Sequence, residues 1–176
     1  MCFNTMDSTK LTTHEQHVTI YTDGACSPNP GTGGWAAILI YENGGVIHDK
    51  ELSGGESNTT NNRMEIMAVL AGLQALKQPC HVVLYSDSKY VVDSVGWWEC
   101  GIPSRTKCGW MVKWHADNWS KKDGRLKNVD LWQLLYMEIQ RHKSIKLKWV
   151  KGHDTDERNI RCDTLAVEAR TRHMRQ

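Results

Sequence analysis

The chain has 176 residues, 40% of them hydrophobic and 24% charged, and a net charge of +2 at pH 7. That is enough chain for one domain with a true core, and too near neutrality to hold nucleic acid by overall charge alone. No run of about 18 apolar residues exists to span a membrane.

Residues 1–16 are polar, without the apolar stretch of a secretory signal, and read as a flexible tail ahead of a single domain at residues 17–176. A cytoplasmic setting is expected, in which the 6 Cys stay reduced. No C-x-x-C pair points to structural zinc. Residues 18–22 are β-branched and aromatic, a first strand that closes on Asp23 and Gly24. Turn chemistry over residues 28–34 leads to a second strand at 35–41. A hairpin signal, Glu-Asn-Gly-Gly, then leads to a third strand at 46–52. Residues 61–77 are apolar around most of a helical surface, which predicts a buried helix. A fourth strand at 81–85 closes on Ser86 and Asp87, and a helix follows at 89–95. Residues 96–127 are rich in Trp, Lys and Gly and read as irregular. An amphipathic helix at 128–142, an alternating strand at 145–150 and a helix at 159–173 complete the chain. The order predicts an α/β fold: a five-stranded mixed sheet, three antiparallel strands and then two parallel ones, flanked by helices.

Four acids stand where this topology would gather them. Asp23 and Asp87 end strands that become parallel neighbours, Glu65 opens the buried helix, and Asp163 lies early in the last one. Singly, each has a structural explanation. Asn62 and Glu65 fit capping-box spacing, and Asp163 would suit the positive end of its helix. Together, carboxylates about 5 Å apart at an effective dielectric near 20 repel by roughly 3 kcal/mol per pair. A hard divalent cation relieves such a cluster, and all-oxygen ligands suit magnesium or manganese.

The sequence resembles the type 1 ribonucleases H. The resemblance rests on Tyr-Thr-Asp-Gly-Ala-Cys-Ser-Pro-Asn-Pro-Gly (21–31), Thr-Thr-Asn-Asn-Arg-Met-Glu (59–65) and Ser-Asp-Ser-Lys-Tyr-Val (86–91). Lys-Asn-Val-Asp-Leu-Trp (127–132), Trp-Val-Lys-Gly-His (149–153) and Arg-Cys-Asp-Thr-Leu-Ala (161–166) complete it in family order. It implies a three-layer ribonuclease H-like fold, and a monomeric endonuclease that cuts the RNA strand of RNA–DNA hybrids. Two magnesium ions, or manganese, would be held by Asp23, Glu65, Asp87 and Asp163, with 5′-phosphate and 3′-hydroxyl products. His153 matches a mobile histidine that handles a proton or eases product departure, and Asn159 a residue that orients its loop, although helix capping would also explain Asn159.

The resemblance further places Cys26, Asn29, Asn61 and Asn62 at the minor groove, where 2′-hydroxyls are read. Turn and cap chemistry accounts for Asn29 and Asn61 equally well. Thr60 and Asn128 match positions that grip a phosphate of the DNA strand, and Lys89 lies in a matched segment on the substrate side. Trp110, Trp114, Trp119 and Lys122 belong to a protrusion that contacts DNA. Three departures stand out: His115-Ala-Asp-Asn118 in place of a usually lysine-rich linker, so that the protrusion should grip DNA more weakly, an insertion of about a dozen residues at 96–108, carrying Cys100 and Cys108, and Ile160 where the family often has an acid. A surface loop with incidental thiols explains Cys100, Cys108 and His115 more simply than a second metal site. The competing expectations are another nuclease of the same fold, a reverse-transcriptase nuclease module, or an inactive hybrid-binding module. Retention of all four acids argues against the last, since a pure binder of phosphates gains by losing them.

Overall fold

The computed structural model describes residues 15–121, 124–152 and 156–175; Lys122, His153 and nearly all of the N-terminal tail lie outside them. Strands β1 (His17–Cys26), β2 (Gly31–Asn43) and β3 (Val46–Thr59) form the antiparallel meander. Helix α1 (Asn61–Gln74), β4 (His81–Ser86) and α2 (Lys89–Val95) follow. Next come β5 (Gly96–Glu99), β6 (Ile102–Cys108) and α3 (Trp110–Ala116), then α4 (Val129–Gln140), β7 (Ser144–Trp149) and α5 (Glu157–Met174).

The sheet order is β3-β2-β1-β4-β7-β5-β6, with β1, β4 and β7 parallel. It therefore has 7 strands where the sequence predicts five. The difference lies in the stretch read as irregular. Residues 96–108 are a hairpin whose β5 pairs antiparallel with β7, and Ser104 within β6 accepts the backbone N–H groups of Thr106 and Lys107, each at 3.3 Å. Its anchor is Trp98, 1% exposed, whose ring meets Tyr136 edge-on and whose indole N–H donates to Val95 at 2.7 Å.

One face of the sheet carries the main core. Val18, Ile20, Val82, Leu84, Ile145 and Leu147 alternate inward to meet α1 and α4. Alternation along a strand puts every second side chain on that face, and α1 is apolar nearly all round because the sheet covers one side of it and α4 the other. On the opposite face α5 covers only β1, β2 and β3, over a smaller cluster of Ala36, Ile38, Cys162, Leu165 and Ala166.

Two glycines set how closely these layers meet. A Cβ on Gly34 would lie 2.2 Å from the Ala166 carbonyl oxygen of α5, and one on Gly24 would lie 2.5 Å from the Glu65 amide of α1. Gly24→Ala would push α1 off the end of β1, and overpacking of this kind costs about 1–3 kcal/mol. Urea unfolding should show that loss together with weaker magnesium binding, because Glu65 rides on the displaced helix.

Candidate active site

Asp23 and Glu65 are 6% and 5% exposed. Each offers a carboxylate oxygen to a group completed by Asp87, and the three oxygens lie within 4.8 Å of one another. Three elements make this meeting. Asp23 lies near the end of β1, Asp87 directly follows the neighbouring parallel strand β4, and Gly24 lets α1 carry Glu65 against them. The fourth acid, Asp163 of α5, stands outside that group of three but near enough to Asp23 for its charge to help raise the Asp23 pKa.

The electrostatics are those of an unneutralised cluster. Burial first, and then the charge of Asp87, push Asp23 from its ordinary 3.8 up to about 8, against the pull of the Gly24 N–H that donates to it at 2.8 Å. Burial, and next the charges of Asp23 and Asp87, push Glu65 well above the usual carboxylate range. One Glu65 oxygen accepts from Asn61 at 3.4 Å; the other, Oε2, is buried with no hydrogen-bond partner among the described residues. An orphaned carboxylate oxygen beside two more carboxylates fits a hard cation, since oxygen donors of this kind are what magnesium takes. Asp87 is further fixed by its neighbours: the Trp149 indole N–H donates to its backbone carbonyl at 3.0 Å, and Gly152 packs against its carboxylate. Trp149 and Gly152 lie in a matched sequence segment, yet nothing in their spacing announced these contacts.

Capping does not account for the acids. The N-cap of α1 is Thr60, whose hydroxyl accepts from the Arg63 N–H at 3.3 Å, so Glu65 sits beyond the cap. The cap of α5 is Asp156, which accepts from the N–H groups of Arg158 and Asn159 and from the Tyr21 hydroxyl. Asn159 is thus inside the helix, buried, with its Oδ1 unpartnered among the described residues.

Around the acids lie the residues expected to meet substrate. Asn29 accepts from the Asn61 N–H at 3.1 Å, which ties the loop after β1 to the start of α1. The Cys26 thiol donates to the carbonyls of Pro28 and Thr59, and Asn62 is exposed. Arg63 of α1 binds Asp130 of α4 through two hydrogen bonds of 3.0 and 2.9 Å. On this exposed pair the direct stabilisation is small; its effect is positional, holding Thr60 and Asn128 at adjoining helix N-termini. Thr60 uses a lone pair to cap and keeps its O–H to donate, and Asn128, left-handed at φ 60, makes no side-chain cap bond, its amide donating instead to the Tyr90 hydroxyl at 3.5 Å. Exposed Lys89 lies 5.5 Å over the Trp149 ring.

The protrusion residues separate by burial. Trp110 is 51% exposed, whereas Trp114 is 8% exposed and packs on Trp132. Trp119 is half-buried beside Tyr136. Of the three only Trp110 presents an open ring. Cys100 lies at the turn of the inserted hairpin and Cys108 at its open end opposite Gly96, while His115 stacks on Tyr136, so these side chains do not converge on a second metal site.

The sequence matches the family described as RNase H over residues 15–171. It is 49% identical over 160 residues to the ribonuclease H of Thermoanaerobacter sp. (strain X514), covering 90% of this chain and 93% of that one. It is likewise 49% identical over 152 residues to the ribonuclease H of Agrobacterium fabrum, covering 86% and 92%. Among solved structures, LC9-RNase H1, a type 1 RNase H with the type 2 active-site motif, is similar with a TM-score of 0.75 at 27% identity, over 89% of this chain and 73% of that one. LC11-RNase H1, solved in complex with an RNA/DNA hybrid, shares the fold with a TM-score of 0.60 at 21% identity, over 89% and 99%.

Proposed function

This chain belongs to the type 1 ribonuclease H family, endonucleases that hydrolyse the RNA of RNA–DNA hybrids, and we propose that it does so by a two-metal mechanism centred on Asp23. The observation that carries this reading is the group of three acids, with buried Glu65 Oε2 unpartnered among the described residues and Asp163 near Asp23. Asp23, Glu65, Asp87 and Asp163 would hold two magnesium ions, or manganese. When bound, such a pair stabilises the attacking and departing oxygens of an in-line displacement at phosphorus, giving 5′-phosphate and 3′-hydroxyl ends.

The protein's own groups supply the rest. Asp23, whose carboxylate lies within 4.8 Å of those of Glu65 and Asp87 and feels the charge of Asp163, is the residue placed to be shared. His153 takes or delivers a proton as the product departs, positioned by Asn159, whose buried oxygen has no partner among the described residues. Cys26, Asn29, Asn61 and Asn62 line the edge where 2′-hydroxyls would be read. Thr60 and Asn128, at two helix N-termini, hold a phosphate of the DNA strand. Lys89, Lys122 and the open ring of Trp110 extend that hold, while Trp114 and Trp119 shape the protrusion from beneath. All four acids come from one chain, which supports action as a monomer. Among the described residues no helix is long and apolar enough to cross a membrane; Cys26, Cys80, Cys100, Cys108 and Cys162 are free thiols, the state that the proposed cytoplasmic compartment would keep.

With magnesium, end-labelled hybrid should be cut in its RNA strand, and duplex DNA of the same sequence left whole. Equal cutting of duplex DNA would overturn the reading, because then no 2′-hydroxyl is being recognised.

A further inference from the structure

The inserted hairpin opens toward the acids. The carboxyl ends of β1, β4 and β7 lie side by side, and β5 runs antiparallel to β7, so β5 begins at that same edge. Gly96 pairs with Cys108, which brings the end of β6 there too and sends the turn at Cys100 and Gly101 to the far edge. Between this open end, α2 and the end of β7 runs a groove of about 750 Å³, lined by Trp97, Trp110 and Trp149 and by Lys107, Lys148 and Asp93 among others. One end of it adjoins the segment that carries Asp87: Trp149, 49% exposed, donates its indole N–H to the Asp87 backbone carbonyl.

Its chemistry is selective. Lys107 and Lys146 lie 6.0 and 5.8 Å over the Trp97 ring, Lys89 lies over Trp149, and Lys148 over Tyr85. Against these lysines stand Asp93 and Glu99, the latter bound to Lys146 at 3.1 Å. Interleaved aromatic faces and unmatched lysines are what a single strand of nucleic acid needs, bases stacking and phosphates paired. Among the described residues no Asn or Gln lines the groove, where Thr106 and Asp93 are the uncharged and acidic polar side chains, and it continues from Trp110, the open ring of the protrusion proposed to meet the DNA strand.

We infer that this groove holds a single-stranded extension of the hybrid's DNA strand, running past Trp149 toward the hairpin. The inference rests on the hybrid-cutting function proposed above and adds a substrate class to it: hybrids with a protruding DNA strand, such as those flanked by unpaired template. Lys107 and Lys148 would hold phosphates, and Trp97 and Trp149 would offer stacking faces.

The test is binding in chelator, where nothing is cut, by anisotropy with a blunt hybrid and with the same hybrid carrying a ten-nucleotide oligo(dT) extension at either DNA end. Extension at one end should tighten binding about 10-fold, the scale of one stacked base, and steepen its dependence on salt. The pair Lys107→Glu and Lys148→Glu should remove both effects, and Trp97→Leu most of the affinity gain. All variants should bind and, with magnesium, cut blunt hybrid as the parent does. No gain at either end, a gain retained in the lysine pair, or an equal gain from an RNA extension would overturn the inference. Blunt hybrid left uncut by the parent with magnesium would instead overturn the function on which it rests.

Discussion

Asp23→Asn is expected to abolish hybrid cleavage while making the metal-free protein more stable by about 1–3 kcal/mol. The change keeps the side-chain oxygen that accepts from Gly24 at 2.8 Å and removes the cost of either holding a charge beside Asp87 and Glu65 or taking up a proton to avoid it. A neutral amide is a poor bridge between two cations, so activity goes with the charge. The pH dependence follows from the raised pKa. Between its ordinary 3.8 and about 8, Asp23 in the folded, metal-free protein keeps a proton that the unfolded chain has released. The stability that Asp23 contributes in chelator is therefore fully present below the lower value and is lost as pH climbs through the upper one. Asp23→Asn should flatten that decline. Added magnesium should stabilise the parent more than the variant, because a ligand bound only by the native state raises stability by mass action. Thermal melts across this pH range, with and without magnesium, make the comparison. A variant that melts lower in chelator and still cuts hybrid would mean that Asp23 is a structural acid.

Trp98→Ala should be nearly as disruptive, through a different link. Removing a fully buried indole costs about 3–5 kcal/mol, and here it also strips the Val95 carbonyl of the N–H that donates to it and Tyr136 of its edge-on partner. The acids lie on β1, α1, α5 and the loop after β4, so hybrid cleavage at low temperature should survive while the urea midpoint falls steeply. A loss under about 1 kcal/mol would show the hairpin to be an appendage that the core does not need.

Asp23, Glu65 and Asp87 were legible because each sits where local sequence already speaks, at the end of an apolar strand or on a strongly apolar helix, whereas Asp163 lies on the mostly polar α5. The hairpin was not. β5 is four residues long, Gly96–Glu99, too short to show a period, and its partner is Lys146 on β7, nearly fifty residues away. Such pairing is set by tertiary packing, here the burial of Trp98, and propensity is silent about it. The same holds for the second half of β3, where glycine and polar residues read as loop. They pair with the glycine-rich start of β2, Gly34 against Gly55 and Gly33 against Glu56. Trp114 misled in the other direction: aromatic spacing suggests a platform, but the ring fills a gap against Trp132. Capping stood as the alternative explanation of Glu65 and Asn159, and it falls away because the caps sit earlier, at Thr60 and Asp156.

Ser104 bears on what happens when many copies of this chain meet. Adding β6 gives the sheet a new outer strand, and an outer strand with idle N–H groups is a template on which another chain can continue the ladder. Here the Ser104 hydroxyl already occupies the amides of Thr106 and Lys107, Pro103 has no amide to offer, and Arg105 and Lys107 place like charges along the rim. The insertion thus lengthens the sheet and closes it in the same seven residues. Replacing Pro103 or Ser104 by valine would leave the acids untouched and turn that rim into a seam for self-association.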